Sequence, residues 1–337
     1  MKFSNTYTIY PVNKSLKQAL DHYITLVSEE AANAAYPDNN VTVMDNFIFT
    51  RGNFEQHRYS SSAFADAVEV FEASLTDDLR KQAPLDWVKL QNHLGNVLAA
   101  SAQQQRDEGF YNKAISAFNL ALEELSQEQF PNEWAATLYN LGTASQSLGR
   151  LLDDAKLLKT AVDAYTDALL VWSRDNSPEQ WMFAMHQLGD TFHTYGCLLK
   201  GNRTFQKSVV AYKNALAVLD ADSYPLELVA THNNRAGVLL NLAESEENDE
   251  RVKEAIKSYE KALTVCMEQQ LPFHLAVIIR VNKATAQNVL AELTNDASLA
   301  EDIADEFEII LECFPHALQP LCDKYCEAQL SKAKSLM

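Results

Sequence analysis

The sequence predicts an all-α fold, a solenoid of antiparallel helix pairs, and three observations predict it. Pro37, Pro84, Pro131, Pro178, Pro225 and Pro272 each stand 47 residues from the next. A fixed period of this length marks repeats that cannot bury their apolar faces alone and do so by stacking on their neighbours. Other columns keep the same step: Leu94-Gly95, Leu141-Gly142 and Leu188-Gly189; then Phe118, Tyr165, Tyr212 and Tyr259; then Ala121-Leu122, Ala168-Leu169, Ala215-Leu216 and Ala262-Leu263. Finally, 9 Gly and 9 Pro in 337 residues are too few for a turn-rich β architecture, while 47% hydrophobic and 22% charged residues fit a chain that folds throughout.

Taken in order, residues 1–36 form an N-terminal segment. Its Leu16, Leu20, Tyr23, Ile24 and Val27 make Asn13 to Ala34 an amphipathic helix suited to cap the stack. Six copies follow, at 37–83, 84–130, 131–177, 178–224, 225–271 and 272–314. The first keeps Phe71 and Leu75 in phase but has an irregular first half. Each copy predicts two helices. In 131–177, Pro131 suits the first helical turn, where its missing N–H loses no partner, and Gly149 suits a C-terminal cap. The first helix is therefore expected from Pro131 to Leu148, with Trp134, Leu138, Leu141, Ala144 and Leu148 at helical spacing. The second is expected from Asp154 to Trp172, with Leu158, Ala161, Tyr165 and Ala168 on one face. The small Gly142, Ala161 and Ala168 let the paired helices approach while Tyr165 fills the gap beside them. A last helix, Ala317 to Leu336 within 315–337, would close the other end through Leu318, Leu321, Tyr325, Ala328 and Leu330. Six pairs and two caps make about 14 helices.

Leu141-Gly142 followed by Ala161, Tyr165 and Ala168 resembles the L-G and A-x3-F/Y-x2-A signatures of tetratricopeptide repeats, and four copies from Pro84 to Leu271 carry versions of it. The family's period is about 34 residues, so the resemblance is to a long variant. The added length lies around Trp87, Trp134 and Trp181, three residues after their prolines, and between the two helices. Later copies depart from the pattern, with Arg235-Ala236 and Asn282-Lys283 in place of L-G. The resemblance implies a right-handed superhelix whose concave groove, lined by the first helices, holds a peptide or a helix of a protein partner.

Aligned at 47 residues, the first helices offer the column Asn92, Tyr139, His186, Asn233 and Arg280. One turn on come Asn96, Thr143 and Asp190, with Asn140 beside them. These are expected to be exposed groove residues that bind a partner and contribute little to folding. The family's grip on acidic chaperone tails needs basic residues in neighbouring repeats. Here Lys89, Asn92, Asn96 and Asn140 are followed by Phe183 and Gln187, which disfavours that ligand.

The formal charge of −18 and pI near 4.8 argue against nucleic acid and anionic membrane, which need a basic face, and favour basic protein partners. The start, MKFSNTYTIYPVNKS, lacks the apolar stretch of a signal peptide. The apolar run Leu275 to Ile279 ends at Arg280, far short of a membrane span. Five cysteines form an odd, sparse set, as expected of a cytoplasmic protein.

No phosphate-binding glycine loop, H-E-x-x-H pair or G-x-S-x-G elbow is present, so a binding protein without cofactor is expected rather than an enzyme. The rival chemical reading rests on His186, Asp190 and His193. At 100° per residue they lie within about 60° of one another on a helix and could hold a metal or share a proton. A second cluster, His316, Cys322 and Cys326, has soft-metal character, but a helix end packing small apolar thiols is the far commoner arrangement and is the reading taken. A third reading is a self-associating array, a homo-oligomer. The acidic stretches Glu244 to Glu250 and Glu301 to Glu312 are read as solvated faces.

Overall fold

The structure is a computed structural model that describes residues 61–313 and 320–337. The expected N-terminal capping helix, the first half of the copy at 37–83 and His316 lie outside the described residues, as does the side chain of Cys322. Among the described residues there are 13 helices and no strand. They are α1 (Ser61–Ser74), α2 (Asp77–Gln82), α3 (Pro84–Gln105), α4 (Glu108–Glu123), α5 (Pro131–Leu151), α6 (Ala155–Ala168) and α7 (Pro178–Leu199). The remainder are α8 (Asn202–Leu216), α9 (Pro225–Glu246), α10 (Asp249–Glu268), α11 (Phe273–Thr294), α12 (Ala297–Cys313) and α13 (Pro320–Leu336). The chain divides into two compact units, one ending at Val171 and the other running from Trp172 to Met337. Within each, consecutive helices pack as hairpins, and the first helix of one copy also touches the first helix of the next: α3 with α5, and α7, α9, α11 and α13 in succession.

The period shows in the local chemistry. Four first helices begin on Pro84, Pro131, Pro178 and Pro225. Between paired helices, one residue per hairpin takes a left-handed backbone: Arg106, Asp153, Lys200 and Glu247, each 47 on from the last, and then Asn295. The next residue caps the second helix where its side chain allows it. Asp107, Asp154 and Asn248 each accept from two backbone N–H groups of the following turn.

Gly149 is not a C-cap. The helix runs through it to Leu151, and a Cβ there would stand 3.0 Å from Leu158, so the glycine serves close packing instead. The second helix stops at Ala168, earlier than expected, and Trp172 beyond its end is buried. Close approach is strictest at the L-G pair. A Cβ on Gly95, Gly142 or Gly189 would lie 2.5, 2.8 or 2.9 Å from Phe118, Tyr165 or Tyr212 respectively. α2 was not evident from the sequence. Thr76 caps it, and its Arg80 pairs with Glu123 and Glu124 and lies 4.5 Å over the Trp87 ring, fastening it to α3 and α4.

Candidate functional site: a polar column on the first helices

The column divides by unit. In the first unit, Asn92 on α3 donates to Thr137 Oγ1 at 2.8 Å and accepts from Asn140 Nδ2 at 3.2 Å, so two side chains of α5 hold one of α3. Asn140 is buried, whereas Asn92, Asn96, Tyr139 and Thr143 are half-buried. The Tyr139 ring meets Tyr165 edge to face, and the Tyr165 hydroxyl reaches Thr143 Oγ1 at 3.1 Å and Gln146 Oε1 at 2.8 Å.

In the second unit the column is largely closed. His186 places Nδ1 2.7 Å from Thr231 Oγ1, and because that hydroxyl gives its proton to the Glu227 carbonyl, the imidazole donates. Asn282 Nδ2 donates to Asn233 Oδ1 at 2.8 Å, and Asn233 in turn donates to Asn234. Asn241 Nδ2 sits 2.9 Å from His193 Nε2. Arg280 is half-buried and grips Glu306 of α12 through two contacts of 2.8 and 2.9 Å. The ladder ends on α13, where Gln329 accepts from Asn288 and the Tyr325 hydroxyl meets Thr285.

The expectation of an exposed column is therefore corrected. Asn140, His186, Asp190 and Asn233 are buried, Asp190 wholly and Asn233 with 1% of its surface exposed. A polar group taken from water must be hydrogen-bonded, and the neighbouring first helix supplies the partner. The bonds span 45 to 49 residues, so they join one copy to the next. Thr137 and Thr231 were missed by sequence reasoning. Their signal was a hydroxyl two residues before the column, at a position that is Leu90, Ala184 and Ile278 elsewhere.

His186, Asp190 and His193 do share one face, but the imidazoles reach across to Thr231 and Asn241 of α9. Among the described residues no group of three or more His, Cys, Asp or Glu side chains is placed to hold a metal ion. The acidic stretches are partly neutralised within the fold, by Arg251 on Glu246, Lys253 on Asp249 and Glu250, Arg280 on Glu306 and Lys334 on Glu308. No described helix is long and apolar enough to cross a membrane.

The tyrosine column shows how neighbours decide a hydroxyl's worth. Tyr165 has Thr143 and Gln146, but the residues at the corresponding sequence positions for Tyr259 are Gly237 and Leu240, whose side chains offer no acceptor. The Tyr259 hydroxyl finds no hydrogen-bond partner among the described residues, and burial pushes its phenol far above the ordinary tyrosine range. Tyr259→Phe is expected to leave stability unchanged or raise it by up to about 1 kcal/mol, whereas Tyr165→Phe is expected to lower it by about 1–2 kcal/mol. Urea melts of both variants, read against the parent, check the contrast.

No family model matches the sequence, and no curated relative matches it. Among solved structures the chain is similar to BtubC (BKLC) from P. vanneervenii, with a TM-score of 0.50 and 17% identity over 77% of this chain and 92% of that one. At that identity the likeness concerns the fold alone.

Proposed function

We propose that the protein is a cytoplasmic scaffold of long tetratricopeptide type that binds a peptide or a helix of another protein on the first helices of its first unit. The observation that carries this reading is the contrast between the units. Asn96, Tyr139 and Thr143 keep part of their surface open on α3 and α5, while the corresponding Asp190, His186 and Asn233 are shut into contacts between helices. An aromatic ring and small polar groups on rigid helices are the material of a peptide-binding surface. The chain's net charge of −18 would draw basic partners by long-range attraction. An enzymatic role for His186, Asp190 and His193 is disfavoured because burial denies them a substrate.

The test is the double variant Asn96→Ala with Tyr139→Ala. Partner capture is expected to weaken at least tenfold, about 1.4 kcal/mol, with a folding loss of about 1–2 kcal/mol that leaves the protein folded. Undiminished capture by the folded variant would move the binding surface elsewhere.

A further inference from the structure

We infer that the edge of the second unit where the turns before α9 and α11 adjoin is a docking surface for a lysine- or arginine-bearing apolar segment of a protein partner. Two strongly exposed apolar side chains stand there. Met267, near the end of α10, is 75% exposed, and Phe273, which opens α11, is 59% exposed. The turn between them is closed by the Leu271 N–H, which donates to the Cys266 carbonyl at 3.0 Å, so one compact bend carries both. Gln269 Nε2 donates to Asp222 Oδ1 at 3.4 Å and joins this bend to the turn before α9. Exposed apolar residues are ordinary when scattered, so what assigns an occupant is the charge around this pair.

On the adjoining turn the Tyr224 ring meets Phe183 of α7 edge to face, at 5.8 Å and 89°. The Tyr224 hydroxyl donates to the Glu179 carboxylate, and the charges that act on it, Glu179, Glu227 and Asp220, are all negative. Burial and then these carboxylates push the phenol up to about 12. Backbone N–H groups of Ser223, at 2.8 Å, and Asp222, at 3.1 Å, hold the Asp220 carboxyl below the usual range, so it stays ionised. Among the described residues no lysine or arginine forms an ion pair with Glu179, Asp220 or Glu227. Arg174, on the turn before α7, gives its guanidinium to the Ala217 carbonyl at 3.1 Å instead.

The first unit shows what such an arrangement holds. There the Arg80 guanidinium lies 4.5 Å over the Trp87 ring and is bound by Glu123 and Glu124, so an aromatic face and two carboxylates fasten a cation supplied by the chain itself. Two periods on, Arg174 takes the place of Arg80, but Ala217 and Val218 stand where Glu123 and Glu124 were. In the second unit the aromatic ring and the carboxylates gather at Tyr224, and a lysine or arginine from a partner completes the set. The net charge of −18 draws such a segment in from a distance, and Met267 and Phe273 give it an apolar anchor.

The experiment measures fluorescence anisotropy of a labelled amphipathic peptide of lysine and leucine, and of its twin with glutamate for lysine, titrated with the full chain. The lysine peptide is expected to bind and the glutamate twin to stay free. Glu179→Gln/Glu227→Gln, which keeps an acceptor for Tyr224, is expected to weaken the lysine peptide about tenfold, and Met267→Ser/Phe273→Ser to do the same. Glu301→Gln/Asp302→Asn removes as much charge from exposed positions on α12 and is expected to change affinity by about twofold at most. Melting curves check that each variant is folded. No binding, an equal loss in the α12 control, or a loss confined to Asn96→Ala/Tyr139→Ala would overturn the inference, the last by placing the peptide on the first unit. A dimer of the parent in sedimentation that Met267→Ser/Phe273→Ser abolishes would overturn it too, by assigning the edge to a second copy.

Discussion

Tyr165→Ala is expected to lower the unfolding free energy by about 3–5 kcal/mol, as truncation of a large, fully buried aromatic does when its neighbours cannot close the space. The ring is wholly enclosed between α5 and α6, and its hydroxyl is held by Thr143 and Gln146. The reciprocal change is as informative. In Gly142→Ala the new Cβ would fall 2.8 Å from the Tyr165 ring, an overlap expected to cost about 1–3 kcal/mol. In the Tyr165→Ala background that cost should vanish, so denaturant melts of the double-mutant cycle should show strong coupling. Additive losses would mean that the two residues do not meet. In the fifth copy the corresponding place is Ala236 rather than glycine, with Tyr259 in the tyrosine column.

Acid should weaken each unit through one half-buried histidine. Burial, aided by Lys89, holds the His93 imidazole down at about 4, and its ring stacks on Phe71 at 5.8 Å. Burial, with Lys261 and Arg235, holds His232 at about 4 as well. Both shifts start from 6.5, so the unfolded chain takes up the proton first. The stability these groups contribute is therefore complete above about pH 6.5 and is lost as pH falls toward about 4, by up to about 3 kcal/mol for each. His93→Leu should flatten this acid limb for the first unit, and His232→Leu for the second, in urea melts taken from about pH 7 to 4. Equal acid sensitivity in parent and variants would assign the loss to other groups.

The helices were legible because their signals are local or periodic. The prolines open first helices, and the L-G and aromatic columns mark where paired helices touch. Gly149 was misleading because a glycine near a helix end reads as a cap, and only the position of Leu158 shows that the missing side chain makes room for packing. The polar column was misjudged for a related reason. Asn, His and Thr on a helix face read as solvated groups, and nothing within one copy shows that the next copy will bury them and supply their hydrogen bonds. Asn92 with Thr137 and His186 with Thr231 become visible as pairs only when residues 45 apart are compared. The tyrosine series was available in the sequence as well, but its meaning depends on knowing that Thr143 meets the Tyr165 hydroxyl.

The proposed scaffold role is tested most directly by site-specific photo-crosslinking in cells of the source organism. A benzophenone side chain would be placed at Tyr139, on the half-open face of α5, and in a second protein at Asp163, exposed on α6. A discrete protein adduct from position 139 with none from 163 is the predicted result. Adducts from 163 alone would contradict the account and place the partner on the second helices.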